Sequence, residues 1–286
     1  MAPIPNPSEF VRKYTPWSIS KLDTAELCPH KFWFNYVKKE KRKAPVKFEA
    51  VKGRAGHKAL EYMLSGRPVN ASLQFAAEEF KLTINEREEL SLYRPAMENF
   101  MRKFNYYCKK NNAKEIIVER ELAVDFTGAK VGYWDDNCFI RGMADVIVLF
   151  KNQPYALILD HKTGKTRGMK EYANQFATYR MMLKAHFPYL QKIMSGVNWV
   201  QGDSIEMGKF IEVPELDPLV SDIITLSNEK TKNTNNFDEM RKTGLCGWCD
   251  FRYLCPAFPE SNADGYEDQK EEGNIKGALQ KGVGTN

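Results

Sequence analysis

Two aspartates and a lysine sit where apolar runs break off. Asp145 interrupts IRGMADVIVLF (140–150), and ALILDHKTGK (156–165) reaches Asp160 and Lys162 after four apolar residues. Strand side chains alternate between faces, so Asp160 and Lys162 share one. A carboxylate in so apolar a run is costly to bury unless it is paired or metal-bound. The plain reading is an ion pair marking a strand end. The chemical reading is that two carboxylates from adjacent strands hold a hard divalent cation, which takes oxygen ligands and keeps waters. Such an ion polarises a phosphate and lowers the pKa of its water. Lys162 would then orient the nucleophile or offset charge in the transition state.

Weaker signals flank this pair. Gln175 and Tyr179, in NQFATYRMML, are four apart and share one face of a helix. His57 lies on an amphipathic helix with Leu60, Glu61 and Leu64, where a lone histidine is usually structural. Gly164-Lys165-Thr166 looks like the end of a phosphate-binding loop, but that motif needs glycine where Leu159 stands.

Six cysteines occur, and GLCGWCDFRYLCP groups three of them as Cys246, Cys249 and Cys255. A tight trio reads as metal ligands before disulfides. Three thiolates leave a tetrahedral site incomplete. Cys28, beside proline in ELCPHKFWFNY, is the best fourth ligand; Cys108 and Cys138 are the alternatives, one on a basic helix and one inside an expected strand. Thiolate chemistry alone leaves zinc and an iron–sulfur cluster equally open.

The elements that must position these groups change character along the chain. Residues 17–37 read as two short helices, with Ser18 and Ser20 as caps and Pro29 opening the second. A helix follows over 54–65, then a charged amphipathic stretch over 76–111, interrupted near Pro95. Residues 115–126, 138–150 and 155–161 are rich in β-branched and aliphatic types and read as strands. A helix over 170–187, strands at 193–200 and 205–213, and a helix from 214 to the cysteine group complete the order. This is an α/β chain of the mixed α+β kind, with a mixed central sheet and no doubly wound nucleotide fold.

With 286 residues, 43% of them apolar, one domain over 15–260 is expected, between a disordered start (1–14) and a disordered, glycine-rich and charged tail (261–286). The start has no signal-peptide core, and no run approaches the ~18 apolar residues of a membrane span, so a cytoplasmic protein with no membrane contact is expected. Net charge is +5, but residues 38–54 carry eight basic residues against two acidic ones, a patch suited to a polyanion or a solvated face.

Taken together, GRAGHKALE, RGMAD, LILDHKTGK and QFATY resemble, in order and spacing, the motifs of RecB-like PD-(D/E)XK nucleases, over about Trp17 to Pro256. The resemblance implies a restriction-endonuclease-like core. It implies His57, Asp145, Asp160 and the His161 carbonyl as ligands of Mg2+ or Mn2+, Lys162 as the catalytic lysine, and Gln175 and Tyr179 on the DNA side of the site. Ala144 stands where the name motif has proline, and Asp160 replaces the alternative glutamate. One distant cysteine plus a C-terminal trio also resembles the [4Fe–4S] staple of AddB-type and CRISPR-associated nucleases, which implies Cys28, Cys246, Cys249 and Cys255 as its ligands. The implied activity is exonucleolytic cleavage of single-stranded DNA ends in repair, recombination or CRISPR-related processing, beside a helicase or recombination protein. A catalytically silent nucleic-acid module and a zinc-stapled RNA-directed protein are the competing readings.

Overall fold

The computed structural model describes residues 6–40, 48–213 and 216–259. Five strands form one sheet in the order β1 (Ala113–Val124), β2 (Ile140–Phe150), β3 (Tyr155–Lys162), β4 (Lys192–Trp199) and β5 (Ser204–Glu212). The pairs β1–β2, β2–β3 and β4–β5 are antiparallel, whereas β3–β4 is parallel. The parallel pair needs a crossover, which α8 (Ala173–His186) supplies. The expected mixed sheet is therefore present, each strand within about two residues of its expected bounds.

Residues of β3 are buried almost throughout, as a central strand requires. Leu157 and Leu159 join Val146 and Val148 of β2 in a core with α4 (Phe48–Leu64), α5 (Val69–Glu79), α6 (Ile84–Ser91) and α7 (Arg94–Lys110). Helix α7 enters this core through Met97, Phe100, Phe104 and Cys108, at three- and four-residue steps. The stretch expected to break near Pro95 does so at residues 92–93, and it breaks once more at 80–83. Pro95 sits in the first turn of α7, where its missing N–H costs nothing. Thr83 opens α6 with a capping box to Glu86.

At the N-terminus, α1 (Glu9–Lys13) lies inside the stretch expected to be disordered. Ser8 accepts the Val11 N–H, Val11 is buried, and the Trp17 indole N–H donates to the Val11 carbonyl at 2.8 Å. One cap and two apolar anchors thus outweigh the polar, proline-rich composition. Helices α2 (Ile19–Leu27) and α3 (Pro29–Phe32) follow, the latter continued by a π-helical turn over Trp33–Val37. Among the described residues the last α-helix, α9 (Leu216–Thr231), stops well before the cysteines. Beyond it Thr234 donates to the Ala25 carbonyl and Asn236 accepts from the Asp238 N–H, side-chain bonds that compete with a helical backbone.

The chain divides into two compact units. One comprises Met1–Leu22 and Val46–Glu229 and contains the sheet; the other comprises Asp23–Pro45 and Lys230–Asn286 and contains Cys28 and the cysteine trio. Of the basic run 38–54, residues 41–47 lie outside the described residues. In the second unit Lys38 pairs with Glu40 at 3.0 Å. In the first, Lys52 pairs with Glu89 at 3.1 Å and Arg54 stacks on Phe80. The expected tail, 261–286, is likewise outside the described residues. Among the described residues, no helix is long and apolar enough to cross a membrane.

Candidate active site

Pairing of β2 with β3 ends at Val146↔Leu159, so the next residue on each strand, Asp145 and Asp160, stands at the mouth of a fork. Asp145 Oδ2 accepts the His161 backbone N–H at 2.6 Å and lies 3.3 Å from His57 Nδ1. Asp160 is buried; its Oδ2 is 2.7 Å from Lys162 Nζ, and its Oδ1 accepts from Gln175 Nε2 at 2.8 Å. Gln175 also donates to the Tyr179 hydroxyl (3.1 Å), which donates to the Met143 carbonyl (2.7 Å). The structure therefore brings His57, Asp145, Asp160, His161, Lys162, Gln175 and Tyr179 into one place. The His161 imidazole points into the core, edge-on to Phe100, and its Nδ1 accepts from the Asn198 amide.

Glycines let the helices approach this closely. A Cβ on Gly53 or Gly56 would lie 3.0 Å from the Thr163 side chain, so α4 rests against the chain leaving β3 and presents His57 to Asp145. Tyr93 seals the same contact by donating to the Thr163 carbonyl. On β2 a Cβ on Gly142 would fall 2.7 Å from a ring carbon of Tyr179, which is how α8 reaches the strand. Lys162 Nζ lies 4.5 Å from the centroid of Tyr172, in the turn that precedes α8.

Glu119 escapes sequence reasoning. It sits in β1 between the pairs Val118↔Val146 and Arg120↔Ala144, opposite Asp145, with a left-handed φ of 49°. Donor atoms of His57, Glu119 and Asp145 lie within 4.8 Å of one another. An open cleft beside them is lined by Arg54, Lys58, Glu61 and Thr163 as well as His57 and Glu119. The available signal was the first carboxylate of VERELAV; its charged neighbours Arg120 and Glu121 made it look like one more solvated position.

Crowded charge perturbs these groups. Burial, then repulsion from Asp145, pushes Asp160 up to about 6 despite Lys162. Burial would raise Asp145 too, but the hydrogen bond and charge of His57 hold it below the usual carboxylate range. Burial would lower His57, and Asp145 outweighs it and raises the imidazole. Glu119 rises to about 7, through burial and then Asp145. Competition among carboxylates for a site short of positive charge is the condition a divalent ion relieves. The set of hard oxygens with one imidazole suits Mg2+ or Mn2+.

In the second unit, Cys28, Cys246, Cys249 and Cys255 line a single pocket with Leu27, Phe34 and Phe251. Cys28 occupies the position before α3, as Pro29 allows, and Cys246 and Cys255 flank two short 3-10 turns. Burial raises the Cys249 and Cys255 thiols, and Cys28 adds to both shifts. Cys108 and Cys138 are buried in the sheet-bearing unit and do not line that pocket. Cys138 precedes β2 rather than lying in it, its N–H donating to the Asp135 carbonyl in a turn.

No curated protein matches the chain. A solved structure described as "Crystal structure of SSO0001" is 14% identical, with 84% of this chain and 96% of that chain covered, at a TM-score of 0.33. The profile of the PD-(D/E)XK nuclease superfamily matches residues 16–256, from just before Trp17 to just after Cys255. With the mixed sheet, the carboxylate fork and the adjacent lysine in place, the chain belongs to the PD-(D/E)XK nuclease superfamily, whose members are metal-dependent phosphodiester hydrolases.

Proposed function

We propose that this chain is a DNA exonuclease that hydrolyses phosphodiesters at single-stranded ends. The observation that carries this reading is the fork itself. Asp145 and Asp160 follow directly where the pairing of β2 and β3 stops, with Lys162 beside Asp160 and His57 and Glu119 beside Asp145. His57, Glu119, Asp145, Asp160 and the His161 carbonyl would hold Mg2+ or Mn2+, which would supply positive charge to polarise a phosphate and make water easier to deprotonate.

The protein's own groups do the rest. Lys162, held against Asp160 at 2.7 Å, opposes the negative charge that grows on the phosphate oxygens. Gln175 fixes Asp160 and is itself fixed by Tyr179, so the carboxylate needs little reorganisation when substrate arrives. His57 and Asp145 hold one another in position on two different elements.

On the same reading the four cysteines of the second unit carry a [4Fe–4S] cluster. The pocket they share and their C-x2-C-x5-C spacing with one distant partner support it. The enzyme would act in the cytoplasm, in repair, recombination or CRISPR-related processing, with unwinding left to a helicase or recombination partner. The test is incubation of single- and double-stranded DNA, labelled separately at each end, with Mg2+, Mn2+ or EDTA. Metal-dependent shortening from one end of single strands supports the proposal; no cleavage under any metal overturns it.

A further inference from the structure

We propose that Tyr133, Trp134 and Arg141 form a stacking platform for an unpaired base of the nucleic acid strand that enters the site. This rests on the nuclease reading above and adds how a single strand is held.

Trp134, in the connection between β1 and β2, is 76% exposed. A lone exposed tryptophan is unremarkable, but this one is held. Its ring packs edge-on to Tyr133 at 5.2 Å, and the Arg141 guanidinium lies 4.3 Å from the Trp134 centroid and 4.7 Å from that of Tyr133. Arg141 is itself fixed, its Nη1 donating to the Tyr133 carbonyl at 2.8 Å and its backbone N–H to the Trp17 carbonyl at 3.0 Å. Such an aromatic–guanidinium surface offers a flat face with few rotamers left to lose.

The platform joins the active site through β2. Gly142 faces Tyr179 of α8, so Arg141 and Met143 on either side face away from that helix. Past Met143 this alternation breaks, since Val146 and Val148 face the α4–α7 core, and at the break the Asp145 carboxylate meets His57. Met143, 39% exposed, bridges the two along an open strip of strand. Four residues of strand span roughly 13 Å, a distance that a few nucleotides cover.

Charge and shape select the occupant. Asp135 and Asp136 follow Trp134 directly, and Glu121 lies across from Met143, so Arg141 is not part of a basic track for phosphates. What the surface offers is a π-face with one cation, which takes bases face-on. In a duplex those faces are already stacked, so the platform fits single strands.

The test uses full-length Asp160→Ala protein and fluorescent oligonucleotides, read by anisotropy. Trp134→Ala should weaken single-strand binding roughly 5- to 100-fold, Trp134→Phe far less, and blunt duplex binding less than about twofold, with the urea midpoint unchanged. Arg141→Ala should follow Trp134→Ala. Single-strand affinity unmoved by Trp134→Ala, or equal losses on single strand and duplex, overturns the platform. If wild type cleaves with Mg2+ or Mn2+ while Trp134→Ala is silent, the platform alone fails. If wild type binds single strands through Trp134 and never cleaves, the nuclease reading alone fails.

Discussion

Glu119 stands directly across the β1–β2 pair from Asp145, held there by a left-handed backbone that glutamate rarely adopts. Local strain of this kind costs about 1–2 kcal/mol and makes sense where the side chain is needed. We expect Glu119→Gln to lower divalent-ion affinity on the order of ten- to a hundredfold, measured by calorimetric titration with Mn2+. Glu119→Gly, which relaxes the backbone, should be no less stable to urea than the parent while binding the ion equally poorly. Unchanged Mn2+ affinity in both variants would remove Glu119 from the site.

Much of this was legible beforehand, for physical reasons. Buried strands must be apolar, so Asp145 and Asp160 stood out against their runs, and strand alternation put Lys162 beside Asp160. The glycines of GRAGH and RGMAD show in the sequence, but their partners do not. That Gly56 meets Thr163 and Gly142 meets Tyr179 depends on helix placement. Glu119 was hidden because β1 is half exposed and carries charges at several positions, so one more carboxylate did not stand out; its burial comes from packing that the sequence does not display. Helix α1 was hidden because a single serine cap and two apolar anchors decide a five-residue helix, which composition averages away.

Lys162→Met should abolish cleavage while preserving fold and oligonucleotide binding. Its ammonium touches Asp160 at 2.7 Å and lies over Tyr172, a position fixed from two sides. Loss of such a charge in the transition state is worth about 3 kcal/mol or more, a drop of over a hundredfold in kcat with little change in KM. Full activity in purified Lys162→Met would refute the catalytic assignment.

Gly142 leaves no room for a side chain: its Cβ would approach Tyr179 to 2.7 Å and Met182 to 3.2 Å. Gly142→Ala should therefore cost about 1–3 kcal/mol of stability and slow cleavage by displacing the Tyr179–Gln175–Asp160 chain. Urea denaturation of Gly142→Ala, Tyr179→Leu and the double variant checks this. Coupling between the two sites is expected, and strictly additive losses would show that they do not meet.

His186, on α8, sits with Nε2 3.1–3.2 Å from the backbone of Ala123, and burial holds its pKa below the usual value of 6.5. With the folded pKa depressed, the unfolded chain binds more protons below about pH 6.5, so stability falls as pH drops through that window toward the folded value. Against His186→Gln, wild type should lose ground between pH 7 and 5 in urea titrations. A constant difference across that range would show that His186 does not titrate differently on folding.

The cysteine pocket supplies the last expectation, which follows from where its ligands lie in the chain. Cys28 and Cys246 are separated by 217 residues, yet both line one pocket of the unit built from Asp23–Pro45 and Lys230–Asn286. A centre bound there ties together two distant segments, and binding to the folded state alone adds to stability. Anaerobically purified protein should be brown, with absorbance that bleaches on reduction and about four irons per chain. Cys28→Ala should lose the iron and become sensitive to proteolysis in both segments of that unit, because removing one ligand releases both. Cys108→Ala and Cys138→Ala, buried in the other unit, should keep it, and Asp160→Ala should keep both colour and stability. One stoichiometric zinc in colourless, iron-replete protein would overturn the iron while sparing the clamp; iron retained in Cys28→Ala would overturn the clamp.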